Sequence, residues 1–137
     1  NLAALTVHLA DQSSYGLVDQ VDKAKANPNF AVLVYPAYLA KDDKDVELEA
    51  LFRTLMLRKE YPPTYMAVAA DDRFAPGSLL YLLNLHKANV PGELHVYESG
   101  GHGKGLRETG GPFAQWTRSC QRWLDDLKNG TEKVVIE

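Results

Sequence analysis

The sequence has one cysteine and no long hydrophobic run, and these shortages exclude several classes of protein. Cys120 stands alone among 137 residues, so the chain can form neither an intrachain disulfide nor a cysteine metal cluster. No stretch reaches the roughly 18 consecutive apolar residues that cross a bilayer, so we predict no membrane span. Glycine-rich phosphate loops of the P-loop or dinucleotide type are also missing. We therefore predict no metal and no cofactor.

An excess of basic residues is missing too. Lys and Arg number 15 against 18 Asp and Glu, which gives a net charge of −3, and the two signs are mixed along the chain. Proteins that bind nucleic acid usually carry a basic patch, so we expect no nucleic-acid partner. A length of 137 residues with 45% hydrophobic content suits one domain with a buried core and is too short for two. The composition gives no indication of the cellular compartment.

Apolar residues recur with helical spacing in some segments and form short continuous runs in others. The continuous runs FAVLVY and YMAVAA are typical of strands that are buried on both faces. The alternation of the two patterns predicts an α/β fold with a mainly parallel sheet of about three strands flanked by helices. The predicted strands cover 30–35, 65–70 and 93–97, and the predicted helices cover 1–10, 46–57, 79–88 and 113–127, with a short helix near 18–26.

Two residues with catalytic side chains follow predicted strands. Asp72 comes after the strand over 65–70, and His102 lies in a glycine-rich loop after the strand over 93–97. The carboxyl ends of parallel strands gather catalytic groups at one edge of a sheet, where neighbouring strands lie about 4.8 Å apart. We therefore expect Asp72 to orient His102, whose second ring nitrogen then acts as a general base. Taken singly, Asp72 also fits a turn or helix-capping acid, and His102 also fits a histidine in an ordinary glycine turn.

Four stretches together resemble the α/β-hydrolase superfamily, and within it the carbohydrate-esterase-like and carboxylesterase-like members. PPTYMAVAADDRFAP is similar to the strand and acid loop of these enzymes, in which the triad acid lies four residues before the proline, here Asp72. KANVPGELHVYESGGHGKGL is similar to the last strand and the histidine loop, with His102 as the triad base. NLAAL is similar to the start of the helix after the nucleophile elbow, and FAVLVYPAYL to the strand between. The resemblance covers about residues 1–127.

The resemblance implies that residues 1–137 are the C-terminal part of a single α/β-hydrolase domain, with a short cap region at about 36–60. The chain order in the superfamily is serine, acid, histidine, so the nucleophilic serine is expected upstream of Asn1 and no serine in this chain is assigned that role. The implied activity is that of a serine esterase acting on small acyl esters, including acetylated carbohydrate. Tyr38 and Leu39 are expected to line the substrate pocket.

Alternative interpretations stay open. The chain alone is expected to be inactive, and it also fits an inactive or truncated hydrolase fragment that needs its N-terminal half. The acid loop DDRFAP resembles that of prolyl-peptidase-like hydrolases as well. The strand over 30–35 is expected to expose an apolar edge, which favours association with the N-terminal half or with a second copy. Lys104 stands where an aromatic residue often follows the histidine–glycine pair in such loops.

Overall fold

The computed structural model describes residues 2–10, 15–24, 27–40, 61–106 and 110–130. The predicted helix over 46–57 and most of the tail after residue 129 lie outside these ranges. None of the helices in the described ranges is long and apolar enough to cross a membrane. The elements are α1 (Leu2–His8), β1 (Ala31–Val34), β2 (Thr64–Ala69), α2 (Ala75–Lys87), β3 (Gly92–Tyr97) and α3 (Trp116–Asn129), with 3-10 turns at Val21–Lys23 and Pro112–Gln115.

The three strands form one parallel sheet in the order β1-β2-β3. The register pairs Thr64 with Ala31 on one side and with Gly92 on the other, so all three strands begin at the same edge. They therefore also end at a common edge, and the segments that follow them lie side by side. This confirms the predicted α/β fold with a parallel sheet flanked by helices.

The middle strand β2 separates two cores because its successive side chains point to opposite faces. All six of its residues are buried. Met66 packs on the face that α1 and α2 cover, together with Leu33 and Leu85. Tyr65 and the other odd-numbered positions of β2 pack on the opposite face, against Phe113 and the α3 residue Cys120. Helices on both faces explain why the strand is a continuous apolar run.

Helix α2 begins earlier than the sequence predicted. It starts at Ala75 rather than at 79, because Pro76 occupies its first turn, where a missing backbone N–H costs nothing. Gly77 lets the segment after β1 approach the helix closely: a Cβ at this position would lie 3.3 Å from the Cβ of Leu39. Leu39 is 1% exposed and belongs to the core beneath α2.

Candidate active site

The turn after β2 and the loop after β3 meet at the carboxyl edge of the sheet. The backbone N–H of Ala70 donates to the carbonyl of Tyr97 at 2.7 Å, which carries the pairing of the two strands one residue further. Just beyond this bond, Oδ2 of Asp72 lies 2.8 Å from Nδ1 of His102. The structure thus brings together the acid and the histidine that the sequence placed at neighbouring strand ends.

The carboxylate of Asp72 is fixed by the turn that leads into α2. The backbone N–H of Asp72 donates to the carbonyl of Ala69, and the backbone carbonyl of Asp72 accepts the N–H of Ala75. Oδ1 accepts the backbone N–H of Phe74 at 3.0 Å, which leaves Oδ2 for His102. The side chain of Asp72 is fully buried, so water does not compete for either oxygen. Asp72 therefore serves both as a turn residue, through Oδ1, and as the partner of His102, through Oδ2.

The imidazole of His102 is oriented on one side and open on the other. An ionised carboxylate only accepts hydrogen bonds, so the proton of a neutral ring lies on Nδ1, facing Asp72. Tyr35 and Phe74 both contact the ring edge to face, each with centroids 5.1 Å apart. The side chain remains 41% exposed, and Nε2 has no hydrogen-bond partner among the described residues. This geometry leaves Nε2 able to accept a proton from a group that approaches from the open side.

The segment after β1 completes the cleft in front of His102. Tyr35 and Tyr38 both have positive φ angles, 39° and 56°, which are uncommon for residues other than glycine and cluster at functional sites. Tyr38 is 55% exposed and packs against Phe74 with centroids 4.8 Å apart. The residues that line this open cleft are Tyr38, Asp71, Asp72, Arg73, Phe74 and His102. Of the two predicted pocket residues, Tyr38 lies in the cleft lining, whereas Leu39 lies in the core.

Asp71 is a part of the site that the sequence did not predict. Its carboxylate accepts the backbone N–H of Gly101 at 2.8 Å and that of Gly100 at 3.3 Å. These hydrogen bonds, with that from Gly101 the strongest, hold the pKa of Asp71 below its usual value, and the charge of Lys104 acts in the same direction. The guanidinium of Arg73, at the same edge of the cleft, lies 4.6 Å from the centre of the Phe74 ring.

The histidine loop also contacts the 3-10 turn before α3 and the first residue of α3. The indole Nε1–H of Trp116 donates to the carbonyl of Gly105 at 3.1 Å. Gly100, with a φ of 153°, lies so close to Phe113 that a Cβ would be 2.6 Å from the Cβ of that residue. The loop that carries His102 is therefore held at both ends.

Within the described ranges, no group of three or more His, Cys, Asp or Glu side chains is arranged to hold a metal ion. No serine is among the residues that line the cleft. The chemistry that the described cleft offers is thus that of an oriented acid–imidazole pair. Such a pair serves a nucleophile by taking up its proton.

An acid and then a histidine follow neighbouring parallel strands, with helices on both faces of the sheet, and the α/β hydrolases have the same chain order. Solved structures that match this chain include esterases and α/β hydrolases, which confirms the resemblance seen in the sequence. Neither the protein-family models nor the curated proteins gave a match.

The chain is similar to an acetyl ester-xyloside bifunctional hydrolase from Caldicellulosiruptor lactoaceticus, with a TM-score of 0.74 and 27% identity, covering 93% of this chain and 53% of that one. It is also similar to a sugar hydrolase from Lactococcus lactis, with a TM-score of 0.63, 25% identity and coverage of 93% and 57%. An alpha/beta hydrolase from a Medee basin deep-sea metagenome library matches with a TM-score of 0.59 and 25% identity, covering 90% of this chain and 49% of that one. The chain spans about half the length of these solved structures.

Proposed function

We propose that this chain carries the acid and the base of a serine ester hydrolase, and that the nucleophilic serine comes from a segment upstream of residue 1. The observation that carries the proposal is the 2.8 Å contact between the buried Asp72 carboxylate and Nδ1 of His102, whose side chain is still 41% exposed. The esterases and hydrolases among the matching solved structures support the same class of reaction.

In the proposed reaction, Nε2 of His102 takes the proton from the serine hydroxyl as the oxygen attacks the ester carbonyl. Asp72 stabilises the imidazolium that forms and keeps its ring in place. The imidazolium then donates the proton to the departing alcohol, which leaves an acyl-serine. Water repeats the sequence: His102 removes its proton as the water oxygen attacks the acyl carbonyl. The imidazolium then returns the proton to the serine oxygen as the acyl–serine bond breaks, which releases the acid and the free serine.

The proposed substrate is a small acyl ester, including the acetyl esters of sugars. The similarity to an acetyl ester-xyloside hydrolase supports this substrate class. The exposed ring of Tyr38, packed on Phe74 at the edge of the cleft, supplies an apolar wall beside the reacting atoms. Binding sites for small molecules are commonly lined by aromatic side chains with a few polar groups placed among them.

The upstream segment is also the proposed partner of β1. Within the described residues, the outer edge of β1 has no strand beside it, because the sheet order is β1-β2-β3. A strand that pairs with this edge would end beside Tyr35 and so place its following residue near His102. In this chain alone, the same edge favours association with a second copy.

The test is ester hydrolysis by the full-length protein, measured with p-nitrophenyl acetate. We expect Asp72→Asn to lower kcat by about 10⁴-fold and His102→Ala by about 10⁶-fold, as removal of the matching triad member does elsewhere. His86→Ala is a matched control, because His86 is an exposed histidine on α2 and should leave kcat unchanged. Full activity of both variants, with native circular dichroism, would show that the site is assigned wrongly. Absence of turnover in the wild-type protein would favour an inactive hydrolase.

A further inference from the structure

The two adjacent aspartates after β2 contact different parts of the histidine loop. Asp72 reaches the His102 imidazole, whereas Asp71 reaches only backbone N–H groups, those of Gly100 and Gly101. We propose that Asp71 is a positioning residue, whose carboxylate holds the backbone just before His102 so that the imidazole meets Asp72. The inference rests on the proposed function, because it concerns the pair that performs the proposed proton transfer.

The first argument is the order of the contacts along the two loops. Ala70 binds the backbone at Tyr97, Asp71 binds it at Gly100 and Gly101, and Asp72 binds the side chain of His102. Three consecutive residues on one loop therefore contact successive positions on the other. After the backbone hydrogen bond between Ala70 and Tyr97, the carboxylates of Asp71 and Asp72 make the contacts between the two loops that backbone groups make within the sheet. The middle contact of the series belongs to Asp71.

The second argument is that the glycines on either side of His102 have open space around them. Gly101 and Gly103 flank the histidine with φ angles of 60° and 78°, and neither has a heavy atom within 4 Å of the position of an added Cβ. Glycine loses more conformational freedom on ordering than any other residue, so this stretch needs an anchor. The bond from Gly101 to Asp71 is made at the residue directly before His102.

The third argument is the charge on Asp71. A carboxylate that accepts backbone N–H groups forms hydrogen bonds roughly twice as strong as neutral ones. The ammonium of Lys104, on the other side of His102, favours the charged form of Asp71 as well. The backbone N–H of Gly101, before the histidine, and the ammonium of Lys104, after it, thus both favour the charged carboxylate of Asp71.

The experiment compares Asp71→Asn and Asp71→Ala in the full-length protein with p-nitrophenyl acetate. We expect kcat to fall about tenfold in Asp71→Asn and about 100-fold in Asp71→Ala, because small misplacements of reacting groups cost up to about 10²-fold. Asn keeps one acceptor oxygen for Gly101, whereas the NH₂ group that replaces the second oxygen cannot accept the N–H of Gly100. KM should stay within about twofold of wild type, because a positioning residue acts on the chemical step. A rise in KM with unchanged kcat would make Asp71 a substrate-binding residue and overturn the inference.

Asp22→Asn is the matched control. Asp22 is also a carboxylate that holds a loop, through the backbone N–H groups of Val18 and Asp19 and the hydroxyl of Tyr15, and it is not among the residues that line the cleft. Its replacement removes the same charge and the same kind of contact. If Asp71→Asn lowers kcat no more than Asp22→Asn does, Asp71 does not position His102.

Hydrogen exchange of the Gly100 and Gly101 amides separates this inference from the proposed function. We expect the Gly101 amide to exchange at least tenfold faster in Asp71→Ala than in wild type, with no change in Asp22→Asn. This measurement needs no activity, so it tests the backbone contact even if the protein hydrolyses no ester. Unchanged exchange at both glycines would overturn the inference, and activity of the wild-type protein would leave the proposed function intact.

Discussion

Replacement of Gly100 by alanine tests how firmly the histidine loop is packed against the rest of the fold. The φ angle of 153° at Gly100 is one that other residues rarely adopt, and a strained backbone of this kind costs about 1–3 kcal/mol. The new Cβ would also lie 2.6 Å from the Cβ of Phe113, and such overpacking costs about 1–3 kcal/mol. We therefore expect Gly100→Ala to lower the free energy of unfolding by about 2–6 kcal/mol.

Two other glycines of the same region separate the cost of backbone strain from the cost of overpacking. Gly101 has a φ of 60° and open space around it, so Gly101→Ala should cost only the backbone strain of about 1–2 kcal/mol. Gly111 has an ordinary φ of −87° and open space, so Gly111→Ala should be neutral or stabilise by about 0.4–1 kcal/mol through the unfolded chain. Urea unfolding of the full-length protein measures all three. Equal losses in Gly100→Ala and Gly101→Ala would refute the packing argument at Phe113.

Two further predictions concern His8 and Tyr38. Burial lowers the pKa of His8 to about 4, whereas the imidazole of an unfolded chain is protonated near pH 6.5. The stability that neutral His8 gives the folded state is therefore fully present above pH 6.5 and is lost as the pH falls toward 4. The loss should reach about 3 kcal/mol by urea unfolding, and His8→Gln, which can keep a hydrogen bond to Tyr81, should flatten the profile. Tyr38→Ala should raise KM for p-nitrophenyl acetate about 3- to 10-fold with kcat nearly unchanged, as loss of uniform binding does. An unchanged KM would remove Tyr38 from the substrate pocket.

The sheet and its strand ends could be predicted from the sequence because they depend on local patterns. The run TYMAVA is apolar on both faces, and a strand between two helical layers needs that composition. The start of α2 was predicted late because Pro76 resembles a loop residue, although proline fits the first helical turn well. The helix predicted over 46–57 stays a prediction, since it lies outside the described residues.

The candidate site was only partly predictable, for a different reason. Asp72 and His102 could be paired because each follows a strand, and neighbouring strands end together. Asp71 gave no such signal, since its partners are backbone N–H groups, which every residue other than proline carries. The contact of Tyr35 with the imidazole depends on a positive φ at the end of β1, and no local pattern predicts that angle for tyrosine.

The succession of contacts between the two loops restricts how this sequence can change in length. One residue added between Tyr97 and His102 would displace the histidine by up to about 3.5 Å, more than a hydrogen bond to Asp72 tolerates. The same addition between Ala70 and Asp72 would offer the imidazole a different side chain. A compensating insertion would have to arise in both loops at once. Insertions and deletions among descendants of this sequence should therefore occur outside the stretches 70–72 and 97–102, because a change in the length of one stretch requires a matching change in the other.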